Sequence, residues 1–234
     1  MKSKLLLILA VAVCNPLAAK SEELSMNDGV RGRMKDVATD SHLRKMIDVS
    51  TEVYRTIAKG PHGEVPQSVK SKARCIAVMP NVITGALVIG GAHGEGIASC
   101  RMPDNTWSHP AAISLNQGSI GLQAGAKSTD LVMFFQTQKA ESALKRGEFT
   151  LGTDLSAVAG KYDASIDSNN AEVIVYSRTN GVFAGVSVSG SKIGKDQEEL
   201  TQYYGKDSNY LAILEGKETP DSNRYSSKLI SLFP

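Results

Sequence analysis

Residues 107–152 read WSHPAAISLNQGSIGLQAGAKSTDLVMFFQTQKAESALKRGEFTLG, and their periodicity decides the fold class. Ala112-Ile113-Ser114-Leu115 and residues 119–123 alternate apolar with small or polar side chains, the two-residue period of a half-buried strand. Residues 131–135, LVMFF, form a continuous apolar run, which predicts a strand covered on both faces. Asn116-Gln117-Gly118 between the first two segments is short enough for a hairpin. Glycines 118, 121 and 125 would let a neighbouring strand approach closely. Residues 138–146 follow as a short amphipathic helix with Ala140, Ala143 and Leu144 inward.

Working outward, residues 75–79, 86–89 and 96–100 read as further strands, with Pro80-Asn81 and Gly94-Glu95-Gly96 as breaks. Residues 172–176 and 182–189 read as strands joined by Arg178-Thr179-Asn180-Gly181. Residues 39–58 form the clearest helix: Leu43, Met46, Ile47, Val53, Tyr54 and Ile57 make one stripe, with Thr39 or Asp40 as cap. Shorter helices are expected over 66–73 and 196–204, and one more near 226–232. About ten short strands flanked by helices give an α+β domain, mainly antiparallel, as a partly closed barrel or a sandwich.

With 234 residues, 41% of them hydrophobic and 21% charged, the chain has the composition of one globular domain. Lys2 and Lys4 followed by an apolar run over 5–13 read as a secretory leader, cleaved after Ala19. The run is too short to cross a bilayer. The alternative is lipidation at Cys14. Either predicts a chain beyond the cytoplasmic membrane; cleavage predicts the periplasm and a mature start near Lys20, and lipidation predicts an anchor at Cys14. Without the two leader lysines, the 26 basic residues fall to 24 and balance the 24 acidic ones. That neutrality argues against broad capture of nucleic acid. Residues 20–38 read as a polar arm and 207–234 as a tail.

In an oxidising compartment Cys75 and Cys100 read as a disulfide. They sit at ends of two expected strands, so a bond requires those ends to meet within about 7 Å. A metal site built with His93 would need two further ligands that the neighbourhood does not offer, and no histidine pair has helical metal spacing. No cofactor motif is expected: the glycines of 90–96 lack the G-x-G-x-x-G order, and Ser189-Gly190-Ser191-Lys192 lacks the companion motifs of S-x-x-K enzymes.

The order Trp107, Ser108, Pro110, then Ser119, Gly121, Gln123, Gly125, then Asp130-Leu131-Val132 resembles the SYLF domain family. The likeness continues at Leu151-Gly152-Thr153-Asp154, Tyr176-Ser177-Arg178, residues 181–185 (GVFAG) and Tyr203-Tyr204-Gly205, so it covers roughly residues 40–206 and bounds a domain over 39–206. That family is described as lipid-binding, with phosphoinositide- and actin-binding members and many exported bacterial ones. The resemblance implies a non-enzymatic domain that binds lipid or a membrane surface. Arg44 and Lys45 on the first helix, with Lys70, Lys72 and Arg74 before the first strand, are the expected contacts to anionic lipid. An envelope scaffold is one alternative. An enzyme is another, and its convergent candidates are Asp130, Asp154, His93 and Glu95. Trp107 is expected to be buried near the first helix or the strand from Asp130, its indole N–H bonded to backbone.

Overall fold

Nine strands order themselves around the run at 131–135 in a computed structural model of the chain, which describes residues 42–60, 65–86, 89–120, 125–160, 171–179, 182–183, 188–220 and 224–234. These belong to a unit spanning residues 39–234. The cap of the first helix, the leader and the polar arm lie outside the described residues. In chain order come α1 (42–59), α2 (Gln67–Lys72), β1 (Cys75–Ala86), β2 (Ile89–Cys100), β3 (Ala111–Ile120) and β4 (Gly125–Phe135). Then follow α3 (Gln138–Arg146), β5 (Glu148–Thr150), β6 (Ala157–Ala159), β7 (Val173–Thr179), β8 (Val182–Phe183) and β9 (Lys192–Lys195). Helices α4 (Gln197–Tyr204), α5 (Tyr210–Leu214) and α6 (Arg224–Ile230) complete the order.

The strands form one curled sheet, β5-β9-β3-β2-β1-β4-β7-β6, with β8 on β7. All pairings are antiparallel except β6 with β7. This is the open-barrel form of the expected architecture, since a sandwich needs two sheets.

Several short strands expected from the sequence prove to be segments of long ones. Gln117 and Gly118 pair with Ala92 and Gly91, so Asn116-Gln117-Gly118 is ladder and not a hairpin turn. The Gly94-Glu95-Gly96 break is likewise interior to β2. Glycine serves close approach here: a Cβ on Gly96 would lie 2.3 Å from the Val78 carbonyl oxygen. Pro80-Asn81 kinks β1 without ending it. The register with both β2 and β4 advances by one residue there, so β1 carries an extra residue as a bulge. Proline is tolerated at such a site because no ladder N–H is demanded of it. Asn81 takes φ 52°. Its N–H donates to Asp130 Oδ1 at 3.1 Å, and its side-chain oxygen accepts from Ser128 Oγ.

The core lies on both faces of β4. Phe134 and Phe135 are adjacent, point to opposite faces, and are both fully buried. Phe134 meets Tyr54 of α1 and, edge-on, Tyr176 of β7. Phe135 meets Phe149 of β5. Helix α1 buries Leu43, Ile47, Val53, Tyr54 and Ile57, as its stripe predicts, with Met46 half-buried against the same core. Phe233 then packs between Tyr54 and Trp107, with ring centroids 4.8 and 5.1 Å away. The tail is therefore part of the core.

Candidate functional site

Side chains at the junction of α2 with β1, the β2–β3 turn, α3 and α5 enclose a basin of about 640 Å³. Five cations line it: Lys72, Arg74, Arg101, Lys145 and Lys217. Two carboxylates, Glu141 and Glu215, oppose them. The strands dictate this convergence. Cys75 stands opposite Cys100 in the β1–β2 ladder, the start of one antiparallel strand beside the end of the next. The two are bonded, their Cα atoms 4.0 Å apart. Arg74 and Arg101 are the residues flanking that bond, and the Arg101 N–H donates to the Arg74 carbonyl at 2.7 Å. The disulfide thus holds two arginines side by side at the basin floor.

The charges differ in how they are held. Arg74 and Lys145 both donate to Glu141, each at 2.7 Å. Burial raises the Glu141 pKa, but these two bonds and their charges outweigh it, so the carboxyl sits below its usual range. Lys217 pairs with Glu215. Arg101 lays its guanidinium over the Trp107 ring, 4.8 Å from the centroid, and donates Nε–H to the Ala73 carbonyl. Its Nη2 is buried without a hydrogen-bond partner among the described residues. A buried guanidinium nitrogen with spare donors beside excess positive charge suits an anionic group.

The five cations expected from the sequence are not one face. Lys72 and Arg74 line the basin. Lys70 is 5% exposed, buried in the last turn of α2. Lys45 lines a second cavity between α1 and the β1 bulge, and Arg44 beside it is half-buried. Sequence reasoning missed Arg101, Lys145 and Lys217. Position next to a paired cysteine was a usable signal for Arg101. The other two are brought in only by the packing of α3 and α5, joined where Tyr210 Oη donates to the Leu144 carbonyl.

The four enzyme candidates separate. His93 and Glu95 share the second cavity. Asp130 pairs with Arg178 at 3.0 Å and holds the bulge, and Asp154 accepts the Thr150 N–H in its own turn. Neither Asp130 nor Asp154 lines that cavity. Among the described residues no helix is long and apolar enough to cross a membrane.

A family model described as Ysc84, Las17-binding protein actin regulator, matches residues 116–232. The chain is 31% identical over 201 residues to SH3 domain-containing YSC84-like protein 1 of Homo sapiens, covering 83% of this chain and 57% of that protein. It is 32% identical over 164 residues to LAS seventeen-binding protein 3 of Saccharomyces cerevisiae, covering 67% of this chain and 36% of that one. Protein YSC84 of the same yeast is 30% identical over 181 residues. The chain thus spans a little over half the length of the mammalian relative and about two fifths of the yeast ones. No solved structure matches it.

Proposed function

We propose a function from one premise: this chain belongs to the Ysc84 family, the SYLF domain of the sequence resemblance. It is a non-enzymatic binding domain, and its ligand is the anionic surface of a lipid membrane. The observation that carries this reading is the cationic basin, where five cations face two carboxylates. Lys72 and Arg74, with Lys145 and Lys217, make the contact, and Arg101 anchors the floor. Lys70 is buried, and Arg44 and Lys45 lie apart on α1. Each cation near an anionic surface contributes about 1 kcal/mol, screened within a Debye length of about 10 Å at 0.1 M salt. Four of them give weak, salt-sensitive attachment. The reading also places the protein beyond the cytoplasmic membrane, on the strength of residues 1–19.

The test is flotation with anionic and zwitterionic vesicles, for the wild type and for the variant with Lys72, Arg74, Lys145 and Lys217 changed to Gln. Binding to anionic vesicles alone, abolished in the variant and by high salt, is expected. Equal binding to both vesicles overturns the electrostatic mechanism. Binding to neither leaves the scaffold reading ahead.

A further inference from the structure

One wall of the cationic basin is closed by a thioether. Met102 lines the basin in the turn between β2 and β3, next to Arg101. That turn is fixed by its backbone: the Met102 N–H donates to the Thr106 carbonyl at 2.8 Å, and the Asn105 N–H donates to the Met102 carbonyl at 2.9 Å. Opposite it, α5 ends in a glycine cap with Gly216 at φ 71°. The Gly216 N–H donates to the Ile213 carbonyl at 3.0 Å and the Lys217 N–H to the Ala212 carbonyl at 2.8 Å, the pattern of a Schellman motif. Met102 lies flush against this cap: a Cβ on Gly216 would overlap its Sδ and lie 3.3 Å from its Cε. Gly216 therefore serves both the left-handed turn and the room for sulfur. One side of the thioether is closed by the α5 cap. The half-buried remainder belongs to the basin lining, where Arg74, Arg101 and Lys217 stand.

We propose that Met102 is a sulfoxidation site through which a hydroperoxide turns down anion binding in the basin. The consequence rests on the basin being the membrane contact, whereas the chemistry of the sulfur does not. A thioether is a weak acceptor, and its sulfoxide is polar and chiral. A sulfur lone pair on the basin side attacks the terminal oxygen of the peroxide. The S–O bond forms as the O–O bond breaks. Sulfur is oxidised and the peroxide is reduced, its proton leaving with the second oxygen as water or an alcohol. Gly216 bars the opposite face, so one sulfoxide epimer forms. Its oxygen projects among guanidinium and ammonium donors and occupies bonds that an anionic headgroup would otherwise take. The other methionines among the described residues are placed differently: Met79 and Met133 are fully buried, and Met46 lines the cavity beside α1.

Mild treatment of the full chain with hydrogen peroxide, followed by peptide mass mapping and vesicle flotation, tests this. Met102 should gain oxygen while Met79 and Met133 remain thioethers. Flotation with anionic vesicles should weaken by about fivefold, the loss of one cation contact. A reductase specific for one sulfoxide epimer should restore it, and the reductase for the other epimer should not. Met102→Leu, which keeps an apolar side chain of similar volume, should bind vesicles like the wild type before and after peroxide. Oxidised wild type that floats as before, or an equal loss in Met102→Leu, overturns the regulation. Met102 left unoxidised when Met79 or Met133 has reacted, or both epimers in equal amount, overturns the site itself. Untreated wild type that fails to float sinks the membrane contact instead, and the mass map still decides the site.

Discussion

Trp107 donates its indole N–H to the carbonyl of Pro234, 3.0 Å away and 127 residues along the chain. The bond meets the requirement that a buried indole find an acceptor, and the tail provides it. Phe233 fills the space between the indole and Tyr54 of α1. The tail thereby links the Trp107 loop to the first helix.

Trp107→Ala should destabilise the protein by about 3–5 kcal/mol, as for other large core aromatics. Phe233→Ala should approach the same loss, because Phe233 is 8% exposed between two rings. Chemical denaturation of both variants checks this. A Phe233→Ala variant as stable as the wild type would show that the tail is not part of the core.

The Cys75–Cys100 bond closes a separation of 25 residues. Its loss in Cys75→Ser/Cys100→Ser should cost about 3–4 kcal/mol on chain entropy. Because Arg74 and Arg101 flank the bond, vesicle binding should also weaken while the protein is still folded. Melting curves and flotation on the same variant separate the two effects.

Asp130→Ala should cost about 1–3 kcal/mol and leave the fold intact. The carboxylate is 15% exposed, pairs with Arg178, and accepts the Asn81 N–H that holds a left-handed bulge residue. Its loss leaves a half-buried donor unsatisfied. Denaturation measured beside Asp154→Ala, whose carboxylate serves one exposed turn, should rank Asp130 as the larger loss.

Acid should loosen the tail. His109 Nδ1 lies 2.9 Å from Ser226 Oγ of α6, and burial pushes the His109 pKa below its ordinary value. A histidine with a depressed folded pKa binds protons more readily when unfolded. Its contribution is therefore full above the unfolded value, about 6.5, and is lost as pH falls through the folded one. Stability between pH 7 and 5 should fall less steeply in His109→Gln than in the wild type.

The apolar patterning made the sheet and α1 legible: the stripe from Leu43 to Ile57 and the run at 131–135 both pack as their periods require. Strand number was not legible, because glycine and proline were read as turn formers. In β1 and β2 they instead permit a bulge and close ladder packing, as at Pro80 and Gly96. The first short helix of the tail, α5, was missed because five residues are too few to display a helical period. The basin was half visible. Lys72 and Arg74 lie two residues apart in sequence, whereas Lys145 of α3 and Lys217, just beyond α5, meet only through tertiary packing. Lys70 shows the limit of clustering, since one step around a helix takes it from the surface into the core.

Glu141 sets the charge of the basin, because it alone is bonded to two of the cations that line it. Glu141→Gln removes one negative charge and frees both Arg74 and Lys145 for an external anion. Binding to anionic vesicles should then strengthen by about fivefold, the equivalent of about 1 kcal/mol for one unit of charge near the surface. Stability should also fall, by about 1–3 kcal/mol, since Glu141 is 16% and Lys145 21% exposed and their charge-assisted hydrogen bond is weakened. The gain should also vanish at high salt, because it is electrostatic. Flotation across a salt series, wild type beside Glu141→Gln, reads all of this at once. Weaker binding in the variant would mean that Glu141 positions the two cations for the ligand and does not compete for them.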